Sequence, residues 1–195
     1  MSILILITLA LGIGAGMLVS EGVGIFAGNL SSYMLMLLIF SVGIDIGLNK
    51  EVFGQIKKMG VKILLVPFGV ATGSLIGGVV ASLFVQEPLK ECLAISSGLG
   101  WYSLSGILLT EAGNPTGGTI SFLSNVLREI LTFVWVPFIA THFNYYSAIA
   151  PGGATTMDTT LPIISRNTNG KIAIIAFVNG ITLTSIVPLL IPLFL

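Results

Sequence analysis

Three ionisable residues, Arg128, Glu129 and Asp158, stand in stretches that are otherwise apolar or merely hydroxylated. Arg128 and Glu129 interrupt the apolar run 119–140, and Asp158 sits in Thr155-Thr156-Met157-Asp158-Thr159-Thr160. At bilayer depth each such charge costs at least about 2.5–3.5 kcal/mol on insertion scales, so function is the default reading and a structural ion pair the alternative. A carboxylate there can bind a cation. It can also trade a proton, because burial raises its pKa and a nearby cation lowers it. Helix neighbours point about 100° apart, so Arg128 and Glu129 make a poor pair and at least one needs a partner elsewhere. Asn125 precedes Glu129 by one turn and shares its face, and Asn179 is expected to face the same cavity from another helix. For either asparagine an interhelical hydrogen bond is the competing role. Trp101 and Tyr102, with Ser103 next to them as a further site candidate, follow the break Gly98-Leu99-Gly100, where pocket lining stands at least level with interface anchoring.

The elements that must position these groups follow from composition. Of 195 residues, 54% are hydrophobic and only 8% charged, against roughly 25% charged in a soluble domain. Mean hydropathy is +1.04. The solvent of such a chain is lipid, and its backbone must bond internally. The apolar runs are helix-length and do not alternate as barrel strands do, so the expected fold is an all-α integral membrane protein. Spans are expected over 2–20, 30–48, 61–85, 119–140 and 172–195. The first two carry Gly12, Gly16 and Asp45; the third carries Gly69, Gly73 and Gly77 at GxxxG spacing, the signature of close helix packing in lipid.

Segments 88–111 and 144–165 are too polar and glycine-rich for plain spans. Two ten-residue arms of about 15 Å each would reach half the bilayer and return. We therefore expect five spans plus two re-entrant hairpins with tips at Gly98, Gly100, Gly152 and Gly153; seven spans is the alternative. The back half reads as a weak repeat, 88–141 and 144–195. Gly100 lies 25 residues before Asn125, Gly153 lies 26 before Asn179, and each helix reaches a Val-Pro pair, Val136-Pro137 and Val187-Pro188. Hairpin plus helix makes an odd number of crossings, so the copies would be inverted. Residues 1–85 are expected to form a scaffold or oligomerisation region and 86–195 the transport core. Lys50, Lys57, Lys58, Lys62, Arg166 and Lys171 flank two loops that the positive-inside rule places in the cytoplasm. The N-terminus is then inside and the C-terminus outside.

Zero net charge offers no footprint for nucleic acid, and the single Cys92 excludes an intrachain disulfide or cysteine metal cluster. No triad, metal-ligand set or cofactor motif points to an enzyme. The classes left are a secondary transporter, a channel and a structural membrane subunit, and a transporter could also carry an organic acid, in which case Arg128 would be central.

Three motifs carry a resemblance. The stretches 98–111 (Gly-Leu-Gly-Trp-Tyr-Ser-Leu-Ser-Gly-Ile-Leu-Leu-Thr-Glu), 125–129 (Asn-Val-Leu-Arg-Glu) and 153–162 (Gly-Ala-Thr-Thr-Met-Asp-Thr-Thr-Leu-Pro) closely resemble signatures of the LysO-type lysine exporters. The resemblance implies export of L-lysine across a prokaryotic inner membrane, driven by protons or Na+, with Glu129 and Asp158 matching the family's intramembrane acids. Longer members carry a further N-terminal block of about three helices. The resemblance therefore implies a homo-oligomer, a small companion membrane subunit, or both.

Overall fold

The computed structural model describes residues 2–18, helical positions scattered between 23 and 54, and residues 60–195 without interruption. Asp45 and the loop lysines Lys50, Lys57 and Lys58 lie outside the described residues. Two units are distinguished, 1–47 and 48–195. In the first, α1 spans Ser2–Leu18 and carries Gly12 and Gly16.

The second unit contains α2 (Leu65–Ser82), α3 (Leu89–Ser96), α4 (Tyr102–Glu111), α5 (Pro115–His142), the 3-10 segment Ser147–Met157, α6 (Leu161–Asn167) and α7 (Gly170–Leu190). No strand occurs among the described residues. Three of these helices, Lys62–Ser82, Pro115–His142 and Gly170–Phe194, are long and apolar enough to cross a bilayer. This is an all-α membrane protein.

The longest helix shows why lipid is its solvent. Ser121, Asn125, Glu129, Thr132, Val136 and Ala140 recur at helical spacing and are buried. On its opposite side Leu123, Leu127, Leu131, Val134 and Phe138 are exposed, Val134 by 67%. A water-soluble helix buries the apolar stripe; α5 buries the polar one. Its start is fixed by Asn114, whose side-chain oxygen accepts from Gly117 N at 2.8 Å, with Pro115 in the first turn. Asn169 caps α7 in the same way, accepting from Ile172 N at 3.1 Å.

The arms α3 and α4 have 8 and 10 residues, about 12 and 15 Å, and neither crosses a bilayer. Their contacts with α5 give their directions. Glu91 meets Asn114 (3.0 Å), the Ile95 carbonyl accepts from Ser121 (3.3 Å), and a side chain on Gly98 would strike Asn125. Thus α3 runs alongside α5 in the same direction. On the way back, Gly106 packs on Phe122 and Gly118, and Thr110 on Gly118, so α4 runs antiparallel. The pair is a re-entrant hairpin whose mouth is at Asn114. Its tip stands at Asn125, eleven residues up α5, or about 16 Å.

The second hairpin enters from the other end. Phe143 to Tyr146 gather with Asn169, Lys171 and Ile172 around one pocket at its mouth. Its first arm is 3-10 rather than α, with Pro151 inside and a kink at Gly153 (φ 57°, ψ −128°). It descends α5 until Pro151 and Gly152 meet Arg128 and Thr132. The returning arm, α6, has 7 residues. The spacing of small residues on α2 reads differently in the folded unit. Gly78 approaches α3 against Ser96 and the Cys92 carbonyl, and Ser74 donates to Ser96 O at 2.9 Å. Gly69, Gly73 and Gly77 instead line an open groove of about 690 Å³ with Arg128, Tyr146 and Pro151. The packing glycine of α2 within this unit is therefore Gly78, one position beyond the expected stripe.

Candidate functional site at the meeting of two hairpin tips

The tips touch. Ala154 N donates to Leu99 O at 2.8 Å, joining the two hairpins by backbone. Leu99 (φ 49°), Gly100 (φ 103°) and Gly153 all take left-handed backbone, which glycine tolerates and leucine adopts only under surrounding constraint. Leu99 is fully buried, as are Leu104, Leu109, Ile149 and Ile164 on the four hairpin arms or beside them. That packing holds the irregular backbone in protein rather than lipid.

Each tip is tied to an asparagine of a long helix that follows it in the chain. Gly100 N donates to Asn125 Oδ1 at 2.7 Å, and Asn179 Nδ2 donates to Gly153 O at 3.0 Å. The two Gly–Asn spacings of 25 and 26 residues are thus two real contacts. Gly98 packs on Asn125 and Ser105, and Gly152 on Thr156 and Thr160.

Around this junction Glu129 is 2% exposed on α5, one turn beyond Asn125. Asp158 is exposed, three residues before α6 begins, and its Oδ1 accepts from Thr159 N at 2.5 Å. Both carboxylates lie within electrostatic reach of the Tyr102 hydroxyl. Tyr102 opens α4 and is set by an edge-on contact with Phe122, 5.6 Å between centroids. Trp101 and Ser103 flank it, half-buried. The first N–H groups of α4 point back at the tip, where an anion is favoured. Glu129, Asp158, Asn125, Tyr102 and the tip glycines therefore form one neighbourhood, with Asn179 on its far side.

Arg128 serves the hairpin. Its Nε donates to Pro151 O at 2.8 Å and one Nη to Ala150 O at 3.1 Å; the other Nη is 3.4 Å from Ser74 Oγ. The guanidinium fork fits several acceptors that a lysine ammonium cannot reach together. Arg128→Lys is expected to keep the charge and lose the clamp, at about 1.5–3 kcal/mol for bonds of this type. The check is a lower melting temperature of the purified protein; an unchanged one removes the clamp role.

Sequence reasoning did not single out Ser74, Ser105, Ser121, Thr132 and Thr156, whose hydroxyls lie at or near the tips. For Ser121 and Thr132 a signal existed: they lie four residues before and seven after Asn125, on its face. Among the described residues no three His, Cys, Asp or Glu side chains converge as a metal site.

Comparison with known proteins adds the following. The family model described as "Lysine exporter LysO" matches residues 6–195. A protein of that name from Escherichia coli K12 is 37% identical over 168 residues, covering 86% of this chain and 56% of the relative. A Haemophilus influenzae protein, whose name also reads lysine exporter with a qualifier, is 38% identical over 173 residues, 87% of this chain and 86% of its own length. The chain thus spans about half the length of the Escherichia coli relative. No solved structure matches it.

Proposed function

The chain belongs to the lysine exporter LysO family, and from that premise we propose that it moves L-lysine out across a prokaryotic inner membrane in exchange for protons. The observation that carries the reading is the junction itself: two oppositely inserted hairpins meet at mid-span beside the buried Glu129. Irregular backbone at that depth, flanked by half-helix ends, is how transporters build midplane sites.

In this reading Glu129 receives a substrate ammonium group, and the N-terminal turn of α4 receives the α-carboxylate. Lysine arriving lowers the proton affinity of the carboxylate, and its departure restores it. Asp158, at the open side of the second tip, hands protons or lysine to solution. Tyr102, which feels the charge of both acids, turns its hydroxyl to the substrate in this reading, and Trp101 and Ser103 complete the wall. Transport of an organic acid through Arg128 is disfavoured, since that guanidinium already holds Pro151, Ala150 and Ser74.

Orientation follows the same logic. Arg166 and Lys171 stand at the second hairpin's mouth and Lys62 at the start of α2, while Lys90 stands near the first mouth. We place the second mouth in the cytoplasm and the first outside, which puts the N-terminus inside and the C-terminus outside. Residues 1–85 act as scaffold and contact a second copy or a small companion membrane subunit.

The deciding experiment is counterflow of labelled L-lysine in proteoliposomes, with the chain alone and with a companion subunit. The expected result is saturable accumulation driven by internal lysine and altered by a pH gradient. Folded protein that accumulates no lysine under either condition removes the reading.

A further inference from the structure

The two repeats differ at one atom. Asn125 uses its whole amide: Oδ1 accepts from Gly100 N at 2.7 Å and Nδ2 donates to Ser121 O at 2.8 Å. Asn179 uses half. Its Nδ2 donates to Gly153 O and lies near Thr156 Oγ1, both at 3.0 Å, while its Oδ1 has no hydrogen-bond partner although the residue is fully buried.

Turning the amide over does not remove the vacancy. The Gly153 carbonyl can only accept, so the nitrogen must face it. The Thr156 hydroxyl is already directed at Ala176 O (2.7 Å) and Gly153 O (2.8 Å). The backbone N–H after Gly153, a natural donor at this tip, is engaged with Leu99 O across the junction. Closer packing is no remedy either. Gly180, the next residue of α7, already meets the hairpin so tightly that a Cβ would press on Met157 and on Ala154 O at 2.8 Å. One turn further, the Thr184 hydroxyl finds only the soft Met157 sulfur at 3.7 Å.

The bare amide oxygen is a hard, neutral donor atom, and the Thr156 hydroxyl at the amide nitrogen and the Thr184 hydroxyl against Met157 lie in the same layer between the second hairpin and α7. Such an oxygen suits a small monovalent cation and has nothing to offer an anion. We propose that Asn179 Oδ1 is a ligand of a cation site between the second hairpin and α7, completed by the Thr156 and Thr184 hydroxyls. The occupant is a Na+ ion or an alkylammonium group, two sources of one chemistry. Only the second rests on the lysine-transport reading. Binding here adds a second hold of the second tip on α7, beside the bond from Asn179 Nδ2 to Gly153 O, whereas the amide at the first tip is already saturated by protein groups. Occupancy therefore bears on the second tip alone.

The test is thermal unfolding of the purified full chain in detergent, which reads binding independently of flux. Sodium chloride is compared with choline chloride at equal ionic strength, and L-lysine with L-norleucine, which lacks the ε-ammonium group. One of the two cationic probes is expected to raise the melting temperature over its control. In Asn179→Ala the half-saturating concentration should rise by about tenfold or more, as for loss of a direct ligand. A sodium-specific shift identifies the inorganic ion; a lysine shift absent with norleucine identifies the ammonium. Should Asn179→Ala fail to fold, Thr184→Val, which removes only a hydroxyl, decides by the same readout. The proposal is overturned if neither probe shifts the parent, or if the foldable variant responds as the parent does. Lysine counterflow that persists without Asn179-dependent stabilisation sinks this site alone. A sodium shift without any lysine flux sinks the cargo instead.

Discussion

Glu129→Gln is expected to bring lysine counterflow to the level of protein-free liposomes while the protein still inserts and purifies as a single species. Glutamine keeps the size and most of the hydrogen-bonding capacity of the buried glutamate, so a purely structural role loses little. A role in charge does not survive the change. A carboxylate with 2% exposure either neutralises a cation or holds a proton, and the amide does neither. A reduction of more than about a hundredfold, or about 2.7 kcal/mol in the barrier, is the scale on which removal of a central charge acts. Asp158→Asn is a softer lesion, because that side chain is exposed and bonded to Thr159. It should bind lysine but lose the dependence of exchange on pH. Parental flux in both variants would make the acids structural and end the proton mechanism.

Gly153→Ala should destabilise the chain more than any other single methyl at the tips. At φ 57° and ψ −128° the backbone is one that only glycine occupies without strain, and a Cβ there would collide with Leu99 O and lie 3.1 Å from the Arg128 guanidinium. It strikes the acceptor of the bond that joins the two hairpins. The expected cost is about 3 kcal/mol or more, from backbone strain plus the displaced contact. Gly170→Ala is the control, with nothing within 4 Å of its added Cβ, and it should stay within about 1 kcal/mol of the parent. Equal melting temperatures for the two variants would mean that the second tip is not held as described.

Much of this arrangement was legible before any coordinates, and the reasons are local. Lipid-length apolar runs fix where α2, α5 and α7 lie. Glycine breaks in polar surroundings fix where backbone turns at depth. The paired Gly–Asn spacings, read as a sign of a repeat, fall on residues that the fold joins by two hydrogen bonds. What stayed hidden depends on contacts between distant segments. The bond from Ala154 to Leu99, the reach of Arg128 to Ser74 and the descent of 147–157 as 3-10 rather than α-helix leave no periodicity to detect. The glycine stripe of α2 is a related case. GxxxG spacing says that a helix can be approached closely, and not by which neighbour; Gly78 proved to be the contact inside this unit.

The inward-facing polar stripe of α5 has a bearing on how the protein comes to exist in a membrane. The apolar windows of α2 and α7 have mean hydropathies of 2.1 and 2.2, whereas that of α5 is 1.4, lowered by Asn125, Arg128 and Glu129. The first two segments can partition into lipid as they leave the ribosome and translocon, each independently. The middle one enters poorly until a neighbour hides its charges. The hairpins cannot precede it, because their unpaired tip backbone has no solvent in hydrocarbon and needs the α5 asparagine to bond. Insertion is therefore expected to be ordered: α5 settles once a neighbour shields its polar side, and the two hairpins settle against it afterwards. The same side chains that are proposed to receive a charged cargo would make the helix that carries them the slow step of its own insertion.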